Sequence, residues 1–232
     1  MKKILLPCLV FFVIIAFFFL SPLLFHASEV TQQANNVGLP WEIERDGTGQ
    51  IRVFGLSPGV STLNDAIARF GNDMELAVIV AANFPKDGEA KDAALEGYYN
   101  QVTLGFVHAR LILTLDVPPS VVASMLERSV KKEYMQNGSR KFRLHPDDAK
   151  LAGTLPLAAL TLVPNAQLDA ETIVSRFGSP AAIIPMGETL QHYLYPEKGL
   201  DVVLDRKGKE ILQYVAPADF EQRIMQPLKP GT

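Results

Sequence analysis

Thr62-Leu-Asn-Asp-Ala-Ile-Ala-Arg-Phe-Gly71 and Asp169-Ala-Glu-Thr-Ile-Val-Ser-Arg-Phe-Gly178 decide how this sequence folds, because one constant offset aligns them from first residue to last. Each predicts one short helix. Thr62 and Asp169 are N-cap types, whose side-chain oxygens can accept from the free amides of a first helical turn. Apolar residues then recur at i, i+3, i+4 and i+7, as Leu63, Ala66, Ile67 and Phe70, and as Ala170, Ile173, Val174 and Phe177. Both helices stop at a glycine, Gly71 or Gly178, which can take up a left-handed conformation without a Cβ penalty, and Pro180 follows the second. A duplicated unit is the architecture this predicts.

Working outward, β-type runs follow each helix. Behind the first come residues 75–84, a charged loop at 85–92, and strands over 97–107 and 109–117. Pro118-Pro119 predicts a helix from about Ser120 to Met135, closed by Asn137-Gly138, then a strand at 140–145, one helical turn at 146–151 and a strand at 157–163. Behind the second come strands at 181–186, 190–195, 200–205 and 210–215, with a short Pro217–Met225 helix. Upstream, Asp46-Gly-Thr-Gly49 is a turn between Trp41–Glu44 and Ile51–Phe54. The connections are too short for βαβ crossovers. The expected fold is therefore α+β: two tandem helix plus antiparallel-sheet repeats, 41–164 with insertions and 165–226, each closed by a Pro-initiated helix, with a tail at 227–232.

Ile4 to Phe25 carries no charge and would make roughly 33 Å of helix, enough to cross a bilayer. Lys2 and Lys3 precede it, which puts the N-terminus in the cytoplasm and the rest across the membrane. The run exceeds a signal-peptide core, and Ala27 has the bulky Phe25 two positions before it, so an uncleaved anchor at 1–28 is expected over a cleaved signal that would release the chain to the periplasm. Residues 29–40 form a polar tether. The expected location is the cytoplasmic (inner) membrane, single-pass, with the soluble part in the periplasm and the bilayer as a partner through residues 4–25.

The chain has 22 basic and 25 acidic residues; without Lys2 and Lys3 the balance is 20 to 25, or −5. A surface built to neutralise phosphates would be basic, so nucleic acid is not an expected partner. Cys8 is the only cysteine and lies in the apolar run, so beyond it the sequence allows no disulfide, thiolate metal site or cysteine nucleophile. His26, His108, His145 and His192 have no ligand spacing, and neither a nucleophile elbow nor a phosphate loop is present. No catalytic residue, metal or cofactor is therefore expected. Asp147-Asp148 suits a helix start, and Asn137-Gly-Ser139 is formally a glycosylation acceptor that a turn also explains.

Four residues stand out as candidate partner-binding positions. Arg69 and Arg176 precede the Phe of each repeated stretch, at the helix C-terminus where a cation is favoured, so capping competes with binding as their role. Tyr193 and Tyr195 share one face of a strand, whereas Tyr98 and Tyr99 point to opposite faces; core filling competes with docking for the first pair. Lys131, Lys132, Arg140, Lys141 and Arg143 are the only basic concentration and could face anionic headgroups, or simply form a solvated face.

The second unit carries a resemblance. Its capped helix ending in Phe177-Gly178-Ser-Pro180, the aromatic strand His192-Tyr-Leu-Tyr195 and Leu200-x-Val-x-Leu-Asp-x-x-Gly208-x-x-Ile211 resemble the SmpA/OmlA-type small envelope lipoproteins of the outer-membrane β-barrel assembly machine, and are similar to the repeat of the β-lactamase-inhibitor-protein fold. The resemblance spans about 60 residues here, and chiefly the helix in the first unit. Val60 and Gln167 replace the family's glycine before the cap, Asp73 replaces the first proline, and the lipobox cysteine is absent, since Leu5-Leu-Pro-Cys8 lacks its small residue. It implies a non-enzymatic module that binds other proteins through its sheet and loops. The function expected is thus a membrane-anchored scaffold for envelope proteins. The alternative is a periplasmic module holding a small ligand or lipid in a cleft between the repeats. A hydrolase would require a His brought together with Ser, Asp or Glu in a cleft.

Overall fold

The computed structural model describes residues 38–81 and 93–229. The expected anchor at 1–28, most of the tether and all of the 85–92 loop lie outside the described residues. Among those described, no helix is long and apolar enough to cross a membrane.

The two quoted stretches form α1, Leu63–Phe70, and α4, Ala170–Phe177. Thr62 and Asp65 make a reciprocal capping box, and Asp169 accepts from the Thr172 amide at 2.7 Å. Three strands follow α1: β3, Glu75–Val80; β4, Ala93–Leu104; and β5, Val107–Leu115. A helical and hairpin segment intervenes before β8, Leu157–Pro164. Four strands follow α4: β9, Ala182–Met186; β10, Leu190–Tyr195; β11, Leu200–Asp205; and β12, Ile211–Val215. Ahead of them all, β1, Glu44–Arg45, and β2, Ile51–Arg52, pair as the expected small hairpin.

The intervening segment contains α2, Pro119–Glu127; β6, Lys131–Tyr134; β7, Arg140–Arg143; and α3, Pro146–Ala152. One fully antiparallel ten-stranded sheet runs β6-β7-β3-β4-β5-β8-β12-β11-β10-β9. From one side its order is β3-β4-β5-β8, from the other β9-β10-β11-β12, and the two sequences of strands meet where Tyr214 of β12 pairs with Leu160 of β8. The α+β class with an antiparallel sheet is what the short connections imply.

Two details differ from expectation. The helix expected to reach Met135 ends at Glu127, and residues 131–134 are strand β6 instead. Lys131-Lys-Glu-Tyr134 has no apolar stripe to bury as a helix, whereas β3 offers an open edge: Val78 pairs with Phe142, and β7 then takes up β6. Asn137-Gly138 is consequently a hairpin tip, with the Met135 amide donating to the Ser139 carbonyl at 2.8 Å. The second difference is that α2 follows the third strand of the first half, while the helical turns from Pro217 follow the fourth strand of the second, so the Pro-initiated helices do not correspond.

The helices cover one face of the sheet. Leu63 and Ala66 of α1, Val122 and Met125 of α2, Ala152 of α3, and Ile173 and Phe177 of α4 join inward strand residues such as Val78, Leu111, Leu160, Val202 and Tyr214 in one apolar cluster. On the other face a C-terminal segment, a 3-10 turn at Pro217–Asp219 running into helical turns to Leu228, lays Phe220 and Ile224 over Ala159, Leu194 and Val215. The chain before α1 also lies on the helical face. The buried Tyr214 hydroxyl donates to the Pro40 carbonyl at 2.8 Å, and the Tyr214 ring meets Phe54 edge-on at 5.3 Å.

Candidate functional site

A concavity opens on the helical face, where the turn joining β4 to β5 approaches α4. Pro40 and Trp41 form one wall and Phe106 and Val107 another; Asn165, Ala166 and Leu168 come from the loop after β8, while Thr172, Arg176 and Phe177 come from α4. Leu162 and Leu212 form the floor, and the space is about 490 Å³. That lies within the roughly 300–1,000 Å³ of ordinary ligand sites. Its lining contains no carboxylate.

Local chemistry explains the walls. Trp41 is held between Phe106, with ring centroids 5.9 Å apart, and Phe177, met edge-on at 6.5 Å. Phe106 follows Gly105, whose φ of 60° turns the chain sharply from β4 into β5 and leaves the Phe106 ring 70% exposed. Phe177 is fixed from behind by Tyr195, and the Tyr195 hydroxyl donates to the Gly178 carbonyl at 2.9 Å. Above them the Arg176 guanidinium lies 4.6 Å from the Trp41 ring, a cation–π arrangement at the mouth.

The four residues singled out in the sequence have separate fates. Arg176 lines the pocket. Arg69, its counterpart, donates from Nε to the Phe54 carbonyl at 3.1 Å, supporting a tight turn in which Phe54 itself has a φ of 56°. Tyr193 and Tyr195 are each 4% exposed, so the core takes both rings and no docking surface includes them. Alternation misses nothing about their shared face, but it cannot tell an inward face from an outward one.

The basic residues all fall on the β6–β7 hairpin, and several already have partners. Lys141 bridges Glu75 at 2.7 Å and Glu133 at 3.1 Å, Lys131 pairs with Glu133 at 2.6 Å, and Lys132 lies over the Tyr134 and Phe142 rings. Contact with Lys131, then Lys141, holds the Glu133 carboxyl down at about 2. Asp148, expected at a helix start, is buried and takes both Arg128 donors, at 2.6 and 3.2 Å.

One constellation absent from the sequence reading lies on the opposite face. His192 Nδ1 and Asp201 Oδ2 are 2.7 Å apart, joined across the β10–β11 ladder, and Asp201 is 2% exposed with its second oxygen unpartnered. The imidazole has no hydroxyl bonded to it among the described residues, so the pair supplies a His–Asp contact without a nucleophile. No cluster of three or more potential metal ligands occurs among the described residues. The signal for the pair was the alternation itself: His192 registers with Val203, one step diagonal from Asp201.

No protein-family model matches the chain, and neither a curated protein nor a solved structure matches it.

Proposed function

We propose that this chain is a non-enzymatic module of the cell envelope, anchored in the cytoplasmic membrane by residues 4–25, with two tandem SmpA/OmlA-like repeats that hold a small apolar or amphipathic ligand in the seam between them. The observation that carries this reading is the apolar pocket of about 490 Å³ lined by Phe106 of the first half and Phe177 of the second. Support for the repeats comes from the mirrored strand order and from the matched contacts of Tyr99 with Gly71 and Tyr195 with Gly178. Support for the anchor comes from the uncharged run after Lys2 and Lys3. Ala166, exposed on the pocket loop, provides the test, since a phenyl ring there would fill the space without disturbing the core. Native mass spectrometry of the full chain released from detergent micelles should show one retained small molecule in the wild type and none in Ala166→Phe. Equal retention in both, or none in either, sinks the reading.

A second reading, binding of other envelope proteins, draws on the sheet face that the C-terminal segment leaves alone. Tyr98, Ile112 and Thr161 register as one row across β4, β5 and β8, are half-buried and belong to neither apolar cluster. Photo-crosslinkers at Tyr98 and Ile112 in membranes should capture an envelope protein; background labelling alone would count against this surface.

A further inference from the structure

The two Arg-Phe-Gly stretches leave their arginines in different situations. Arg69 is tied to the backbone at Phe54 and packs beside Gly55. Arg176 has its guanidinium carbon 4.6 Å from the centre of the Trp41 ring and, among the described residues, pairs with no carboxylate. A guanidinium held against a ring still carries several N–H donors, and the fork they form can grip a carboxylate or phosphate with two parallel hydrogen bonds.

A second cation is tied to a residue of the lining. Lys209 Nζ donates to the carbonyl of Asn165, a lining residue, at 3.1 Å. The chain as a whole is acidic, with a formal charge of −3. A lining that holds Arg176 and no carboxylate, with Lys209 bonded to its Asn165, is therefore a local feature, opposite in sign to the chain as a whole. Behind the rim Trp41, Phe106, Phe177, Leu162 and Leu212 make most of the walls, a largely apolar surface for a tail, with His108 and Thr172 among the few polar side chains of the lining.

Resting on the reading that this pocket holds a ligand, we propose that the ligand is a single-chain amphipathic anion, with its carboxylate or phosphate on Arg176 and its hydrocarbon chain on Trp41, Phe177 and Leu162. Arg176 is the specificity-determining residue: it selects for charge at the mouth, while the walls select only for apolar bulk. Lys209 adds attraction without a fixed geometry, because its ammonium is a point charge on a flexible stem.

Trp41 is the only tryptophan in the chain and lines the pocket, so its emission reports occupancy directly. The full chain in phosphatidylcholine nanodiscs is titrated with oleate, with uncharged methyl oleate and with hexadecyl phosphate, at a pH where the acids are ionised. Oleate or hexadecyl phosphate should shift the emission, with methyl oleate binding about tenfold more weakly or worse, as loss of a charge-assisted pair implies. Arg176→Gln should weaken the anions by about tenfold while leaving methyl oleate where it was, and Arg176→Lys should restore part of the loss. Whichever anion binds more tightly assigns the headgroup. Methyl oleate equal to oleate, with Arg176→Gln without effect, overturns the anionic ligand and leaves the pocket reading standing. Emission that no titrant moves, or binding undiminished in Ala166→Phe, overturns the pocket reading itself.

Discussion

The Tyr195 hydroxyl donates to the Gly178 carbonyl at 2.9 Å, tying the second strand after the repeated stretch back to the residue that ends it. Tyr99 does the same to Gly71 at 2.8 Å, and the rings lie against Phe177 and Phe70 respectively. Burial raises both phenols, Tyr99 to about 12, so both remain protonated donors at any ordinary pH. Removing the hydroxyl keeps the ring and its packing. Tyr99→Phe and Tyr195→Phe should each cost about 1 kcal/mol in urea unfolding, and the double variant should cost their sum, because the bonds share no partner. A coupling of more than about 1 kcal/mol would show that the two ends of the sheet are not independent.

Gly199 has a φ of 56°, between the turn after β10 and the start of β11, and a Cβ built there would run into the Val215 carbonyl. The Val215 amide in turn donates to the Gly199 carbonyl at 2.8 Å, so neither backbone can withdraw freely. Gly199→Ala should lose about 1–2 kcal/mol from the left-handed conformation alone, with the steric conflict added to it. Gly187 has a φ of 66° and nothing near its Cβ position, so Gly187→Ala should show the conformational cost only. Thermal unfolding of the two variants separates the contributions; equal losses would mean that the Val215 contact relaxes.

Features set by neighbours in sequence were legible, and those set by distant partners were not. The caps at Thr62 and Asp169 are local, and both are present. Strand positions after α4 follow from alternation between short turns, and each lies within about a residue of expectation. The β6–β7 hairpin was missed because its cause is the free edge of β3, far back along the chain. Val174 sits at an apolar helical position yet is 40% exposed, since periodicity gives a stripe and not its width. The pocket draws on Pro40–Trp41, Phe106–Val107, Leu162–Leu168, α4 and Leu212, segments that no spacing rule connects. Arg176 could be singled out, but not Trp41 as the ring beneath it. One signal was available: an aromatic placed directly after a turn glycine, at Gly105-Phe106, where a solvated residue is usual.

Glu96 lies in β4 between Ala77 and Thr114, on the face away from the helices, and burial raises its carboxyl above the ordinary value of 4.5. A folded-state value raised for an acid means that the folded protein holds the proton more tightly than the unfolded chain. Ionisation therefore disfavours folding once the pH passes the unfolded value, and the penalty is absent in acid. Glu96→Gln should accordingly raise the unfolding midpoint at neutral pH and leave it unchanged at pH values below the ordinary carboxylate range. Urea titrations at the two pH values check this, and a gain that persists unchanged in acid would assign the effect to packing.

Glu133 has the opposite sign. Its carboxyl is held at about 2 against an ordinary 4.5, first by Lys131 and then by Lys141, which is itself bridged to Glu75. A depressed folded-state value contributes stability that is fully present above about 4.5 and is lost as the pH falls through about 2, because the unfolded chain takes up the proton first. Exposed pairs are screened by salt, so the contribution should shrink as ionic strength rises. Carboxyl resonances followed by NMR should show Glu133 titrating well below the other exposed glutamates, and moving upward in Lys131→Met and Lys141→Met. Stability measured against pH should be flatter in acid for Glu133→Gln than for the wild type. Parallel curves would mean that the β6–β7 hairpin, which these charges tie to the edge of β3, opens before the carboxyl is protonated.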